Sequence, residues 1–244
     1  MKNAALIIAK KELRMFFDSL VAYILLIAFL GFSGFFTWFY GSDVFLTRQA
    51  SLQSFFQTAY WTLFFFIPAL TMRSLAEENK TGTIELLLTK PVSNWQLLWG
   101  KFLACFMLIL IAVLLTFPYD ITIIKLGYGK VDLGVVFCGY LGLLLMSAAY
   151  ISIGILASSI TSNQVVAFLI ALFIGIFFHF IFGMLGSSVP GTSGELINYL
   201  SMASHFDGIS RGLLDSRDLI YFGSIIFLSL VIAEVSLAKR TISE

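Results

Sequence analysis

Apolar runs of about twenty residues, separated by short polar stretches, set the pattern of this chain. Six runs are long enough to cross ~30 Å of hydrocarbon, which takes ~20 mostly apolar residues: about 20–40, 54–72, 98–124, 133–157, 164–185 and 218–238. Ahead of the first, Leu6, Ala9, Leu13, Phe16 and Leu20 recur at helical spacing, while Lys10, Lys11, Arg14 and Asp18 fall on the other side. That pattern predicts a helix over 1–19 lying flat at a membrane interface, apolar face down and cations toward lipid phosphates. Residues 73–92 place Glu77, Glu78 and Glu85 beside Arg73, Lys80 and Lys90, with Leu75, Ile84, Leu86, Leu87 and Leu88 between them. Two short helices are expected there, broken at Thr81-Gly82 and stopped by Pro91. Residues 186–217 start polar and then carry Leu196, Tyr199, Leu200, Ala203, Phe206, Ile209 and Leu213 at intervals of 3–4 residues. This spacing predicts two short amphipathic helices separated near Asp207-Gly208. The fold class is all-α: one membrane domain over 1–244 with six transmembrane helices and three smaller helical attachments.

Local signals sharpen the boundaries. Ser93 and Gln96 make a capping box just after Pro91, so a helix starts outside the bilayer and runs into the third span. Trp95 and Trp99 then fall at headgroup depth. Thr161 and Gln164 repeat the box before the fifth span, and Asp215 or Ser216 caps the sixth, with Asp218 in its first turn. The first span is too long for a signal-peptide core and lacks a small-x-small cleavage site, so it reads as a retained helix.

Composition agrees: 59% of the residues are hydrophobic and 12% charged, against roughly half and a quarter in soluble domains. A formal net charge of +1, with no surplus cluster of Lys and Arg, argues against a nucleic-acid partner. Charge also orients the chain. Lys2, Lys10, Lys11, Arg14, Arg73, Lys80, Lys90, Lys101, Lys239 and Arg240 share one side, against Arg48, Lys125, Lys130, Arg211 and Arg217 on the other. The positive-inside rule then makes both termini and the 73–101 loop cytoplasmic. Cys105 and Cys138 lie at opposite ends of neighbouring spans, roughly 20 Å apart in depth at ~1.5 Å per residue. That is too far for a disulfide, and both are expected in apolar surroundings.

Catalytic signatures are missing from this sequence. No G-x-x-x-x-G-K-[ST] phosphate loop occurs; Lys80-Thr81-Gly82-Thr83 lacks the preceding glycine-rich turn. If ATP drives this protein, another polypeptide hydrolyses it. An ion-coupled secondary transporter needs ionisable groups near mid-membrane. Asp120 lies ~28 Å along its helix from Lys101, close to the outer interface, where solvation is expected. Glu234 sits near the inner end of the last span within reach of Lys239 or Arg240. His179 alone is well inside a helix, and packing or an interhelical hydrogen bond explains it. Gly31-Phe32-Ser33-Gly34 matches the G-x-S-G string of rhomboid intramembrane serine proteases, with His179 as the imagined base. Gly31 and Gly34 read more simply as a close-packing helix edge. His205 and Asp207 lack a third ligand for a metal. Neither a catalytic residue nor a metal site is expected.

Met72-Arg73-Ser74, Glu77-Glu78, Thr81 through Leu88, Lys90 through Ser93 and Gly100-Lys101 closely resemble the cytoplasmic loop of ABC-2 type permeases. His205-Phe206-Asp207, Arg211-Gly212, Asp215, Arg217-Asp218-Leu219 and Tyr221-Phe222 match the same family before its last span. Over essentially the whole chain, the similarity is greatest to the gliding-motility-associated permease subunit of Bacteroidetes. The resemblance implies an exporter-like half-transporter in the bacterial inner membrane, paired with a second permease half, either a copy or a paralogue. It implies separate cytoplasmic ATPase subunits that hold ATP and Mg, so that this chain binds no cofactor itself. It further implies that Glu77, Glu78, Thr81, Gly82, Glu85, Leu87, Lys90 and Pro91 belong to an ATPase-coupling element. Phe206, Gly208, Arg211 and Asp215 map onto an external gate. Phe64 to Phe66 with Phe177, Phe178, Phe180 and Phe182 fit either a path for apolar cargo or lipid-facing surface.

Overall fold

The computed structural model describes residues 4–40, 51–82, 92–126 and 131–242, the side chains of 240–242 excepted. In chain order the helices are α1 (Ala4–Asp18), α2 (Val21–Trp38), α3 (Gln53–Thr71), α4 (Ala76–Thr81), α5 (Asn94–Leu114), α6 (Phe117–Leu126) and α7 (Leu133–Ile160). There follow α8 (Gln164–Ile176), a π-helical turn (Phe177–Ile181), α9 (Phe182–Ser188), α10 (Thr192–Asn198), α11 (Met202–Ser210) and α12 (Ser216–Ile242). Among the described residues, 6 segments are long and apolar enough to cross a membrane, each overlapping a predicted span. The protein is an all-helical, multi-pass membrane protein.

α7 is the central pillar. Its most apolar window is 78% buried, the highest of the six, and α3, α5, α8, α11 and α12 all pack on it. Helices in lipid gain little from apolar burial, so close approach decides which ones pair, and small residues permit it. A Cβ on Gly154 would fall 2.0 Å from Thr71 Oγ1, and one on Gly139 2.3 Å from the Phe56 ring. The outer helices turn Ile24, Ile27, Phe173 and Phe227 outward, as lipid-facing surface requires.

Several expectations needed correction. The third span is interrupted: α5 ends at Leu114 and α6 begins at Phe117. Thr116 in the break donates to the Val113 carbonyl at 2.6 Å. The break sets Asp120 against α7, where its carboxylate accepts from the Tyr140 hydroxyl at 3.0 Å and is only 6% exposed. Asp120 is therefore buried rather than solvated. The fifth span is capped by Asn163, whose side chain accepts from Val165 N–H at 3.0 Å; Thr161 instead accepts from Asn163 N–H at 3.1 Å. The Ser93–Gln96 box forms in both directions, at 3.2 and 3.1 Å. Between the last two spans the helix break falls at 199–201, and Asp207-Gly208 lies inside α11. The Ser204 hydroxyl ties α11 back to the break, lying 2.8 Å from the Ser201 carbonyl and 3.0 Å from the Asn198 carbonyl, which also accepts from Ser201 N–H.

Candidate functional site

α1 and α4 meet the start of α5 at the end of the bundle that carries the basic side chains. α1 crosses α5 at Gly100, where a Cβ would fall 2.7 Å from Ile8 Cβ and Cγ2 and 3.0 Å from the Ala5 carbonyl oxygen. The inward face of α1 is Ala5, Ile8, Ala9, Glu12, Leu13 and Phe16; Leu6 and Leu20, expected on the apolar stripe, are exposed. The contact with Gly100 rotates the inward stripe by part of a turn, and this brings in an acid, Glu12.

α4 is only 6 residues long, too short to persist by propensity, so its hydrogen bonds define it. Ser158 of α7 accepts from the Leu75 and Ala76 amides, both at 2.9 Å, and donates to the Met72 carbonyl at 3.2 Å. Asn79 donates to the Thr161 carbonyl at 3.3 Å. Gly82 ends the helix at φ +67°, a left-handed conformation that glycine adopts without a Cβ penalty. Leu75 and Ala76 are buried, while Glu77, Lys80, Thr81 and Gly82 form an exposed edge. Glu78 turns inward. The second expected helix, with Glu85, Leu87, Lys90 and Pro91, lies outside the described residues.

Glu78 turns in toward Lys101. The Lys101 ammonium lies 2.7 Å from Glu78 Oε1 and 3.1 Å from Glu12 Oε1, and the lysine is 2% exposed. One cation from α5 thus joins an acid on α1 and an acid on α4. From the sequence alone Lys101 reads as one of the inner-surface charges, and nothing in the charge pattern singles out Glu12. Two signals were present: an acid one turn from Ile8 and Phe16, inside an apolar stripe, and a lysine directly after the glycine at a helix start.

At the opposite end, Phe206 is buried and stacks on Tyr60 of α3, with ring centroids 4.6 Å apart. Tyr60 stacks in turn on His179 of the π turn at 4.2 Å. The His179 Nδ1 is 2.7 Å from the Tyr150 hydroxyl, an interhelical hydrogen bond. Ser33 uses its hydroxyl on the Leu30 carbonyl of its own helix, at 3.4 Å. Gly208 is half-buried, and Arg211 and Asp215 are exposed. Asp215 caps α12 by accepting from Arg217 N–H at 3.0 Å, and that bond holds its carboxyl below the usual range. Burial pushes the Asp207 carboxyl up, against the opposing charge of Arg211.

α11 is joined to the last span by His205, a residue of the family-like motif and an incomplete metal ligand in the sequence. Its Nε2 faces the Tyr199 carbonyl at 2.8 Å and must donate. Its Nδ1 pairs with the Asp218 carboxylate of α12. Tyr221 stacks on the ring at 4.0 Å and donates to the Leu200 carbonyl at 2.6 Å. Among the described residues no group of three His, Cys, Asp or Glu is arranged to hold a metal ion.

A bundle with a short hydrogen-bonded surface helix at one end and two short helices, α10 mostly exposed and α11 largely buried, at the other is a multi-pass membrane domain. Residues 6–236 match the family model for ABC-2 family transporter proteins, and the chain belongs to that family. It is therefore the membrane component, a permease subunit. No curated protein matches the chain.

Proposed function

We propose that this chain is one half of an ABC exporter in a bacterial inner membrane, with both termini cytoplasmic. It forms the translocation path with a second permease half, and separate cytoplasmic ATPase subunits drive it through the 73–92 segment. The observation carrying this reading is α4: a one-and-a-half-turn helix, fixed to the central span by Ser158, with the polar edge Glu77, Lys80, Thr81 and Gly82 turned outward. Such an edge suits the rim of a protein interface, and the buried Leu75 and Ala76 ground it in the bundle. The resemblance over essentially the whole chain, in the cytoplasmic loop, residues 205–222 and the first-span region together, supports the finer assignment to gliding motility.

Purification of the tagged protein from its native membrane in mild detergent tests the reading. A bound ATPase with ATP turnover in the purified assembly is the expected result. Glu77→Lys is the informative variant, because Glu77 is exposed; Glu78→Lys would set a second ammonium against buried Lys101 and disturb the fold. Retention of the ATPase and of turnover at wild-type levels in Glu77→Lys would remove α4 as the docking edge. For gliding, loss of the gene in a gliding host should abolish spreading, and unimpaired spreading would end that assignment.

A further inference from the structure

We propose that Lys101 is the positioning residue that makes α1, α4 and α5 move as one body, so that a push on α4 is delivered to the boundary helix α1. This rests on the reading of α4 as the ATPase contact.

Three observations carry it. First, the backbone of α4 packs on α7 and α8. Toward α1 and α5 it is tied by the ammonium of Lys101, which reaches Glu78 on one side and Glu12 on the other, and just ahead of it Ser74 Oγ lies 4.0 Å from Cys105 Sγ of α5.

Second, open space flanks this junction. A cleft of about 270 Å³ is lined by Ile7, Ile8, Glu12, Glu78, Ser93 and Leu97. Another of about 290 Å³ is lined by Glu12, Phe16, Met72, Arg73, Glu78 and Lys101. Between the two clefts, the Lys101 ammonium bridges α1 and α4.

Third, the arrangement is an expensive way to gain stability. Lysine is almost never fully buried unless paired, and apolar side chains of similar volume often stabilise as well as a buried ion triad or better. What charges add is specificity of register: the ammonium fits only where both carboxylates reach it. Glu78 Oε2 is buried without a hydrogen-bond partner, so the triad is not a fully satisfied network, and any shift of α4 changes its electrostatics directly.

The consequence reaches the membrane. α1 turns Leu6, Ile7 and Met15 outward, each about half or more exposed, with Lys10, Lys11 and Arg14 alongside. A helix of that kind lies at the inner interface, and displacing it moves the start of α5 through the Gly100 contact.

The test has two arms. In the isolated permease in nanodiscs, Lys101→Met should speed backbone hydrogen exchange in both α1 and α4 by tenfold or more. In the complex with its ATPase, spin labels on α1 at Lys10→Cys and on α12 at Lys239→Cys should change separation between the ADP and the ATP–vanadate states. Lys101→Met should keep the ATPase bound and lose most of that change. The neutral triple variant Glu12→Gln, Glu78→Gln, Lys101→Met, checked for a wild-type melting temperature, should lose it as well, which a merely structural lysine would not require. Either an unchanged α1 displacement in these variants or an α1 that stays still in wild type overturns the proposal. A wild-type protein that retains no ATPase fails one step earlier, at the reading of α4, and takes the proposal with it.

Discussion

Gly100→Ala is the sharpest single perturbation of the α1–α5 contact. The added Cβ would lie 2.7 Å from Ile8 Cβ and Cγ2 and 3.0 Å from the Ala5 carbonyl oxygen, against a comfortable separation of ~3.5–4.0 Å. Ile8 cannot swing away, because a β-branched side chain in a helix has essentially one rotamer, and the Ala5 oxygen belongs to the backbone. α1 must therefore lift by ~1 Å, an overpacking cost of about 1–3 kcal/mol. Lifting also stretches the 3.1 Å contact between Lys101 and Glu12, and a hydrogen bond to a charged group contributes about 1.5–3 kcal/mol. The two effects overlap, so the expected loss is about 2–4 kcal/mol of α1 docking. At tenfold per ~1.4 kcal/mol, amide exchange in α1 should accelerate roughly 30- to 700-fold, with α7 and α12 unaffected. Mass-spectrometric hydrogen exchange in nanodiscs measures it segment by segment. Exchange in α1 within threefold of wild type would refute the close seat at Gly100.

Other expectations follow from the same geometry. Ser158→Ala strips the acceptor from two buried amides and should weaken α4 by about 2–4 kcal/mol, read as exchange at Leu75 and Ala76. Gly82→Val puts a β-branched residue at φ +67° and should cost about 1–2 kcal/mol at the same helix, while Gly82→Asn is milder because asparagine tolerates that conformation. His205→Ala leaves Asp218 half-buried without its partner and should lower the melting temperature by several degrees, with a loss of about 2–4 kcal/mol; Asp218→Asn should come closer to wild type, because an amide still meets the ring. Burial raises the Asp207 carboxyl above its unfolded value, so at neutral pH the ionised form opposes folding. Asp207→Asn should therefore be neutral or stabilising at pH 7, with the difference vanishing as the pH falls below the unfolded carboxylate range.

The spans were legible because length and hydropathy alone decide them, and the Ser93–Gln96 box because a capping signal is local. The break at 115–116 was not, since no glycine marks it and Pro118 sits just inside the helix that follows. The burial of Asp120 was hidden because it depends on Tyr140 of a different helix, α7, which local spacing does not show. Within the candidate site, the sequence marked α4 and its Gly82 stop. It hid the triad, because Glu12, Glu78 and Lys101 are far apart in the chain and each has an innocent local reading as a surface charge. Ser158 was equally silent, one serine among several in an apolar helix. The His205–Asp218 pair was hidden by the misplaced break between the short helices, which left His205 on the wrong side of a turn.

Both ends of the molecule are fastened to α7, and this shapes how a push at one end is felt at the other. Near its last turn Ser158 holds α4. Toward its first turns Gly142 receives Ile209 at 3.0 Å and Phe206 at 3.4 Å from α11, as measured from a Cβ built on the glycine. Tyr150, midway between, bonds His179 in the π turn, and His179 stacks on Tyr60, which stacks on Phe206. A helix so closely packed along its length transmits force as a rod rather than flexing, since its neighbours leave no room to bend. The elements around it are joined to one another by few polar contacts: α1 to α4 through the Lys101 ammonium of α5, and α11 to α12 through the His205–Asp218 pair. The π turn adds a place where α8 and α9 can change register, because an i→i+5 turn converts to α by the shift of a single residue. On the proposal above, motion is expected to pivot about α7, with Lys101 joining α1 to α4 at one end and the His205–Asp218 pair joining α11 to α12 at the other.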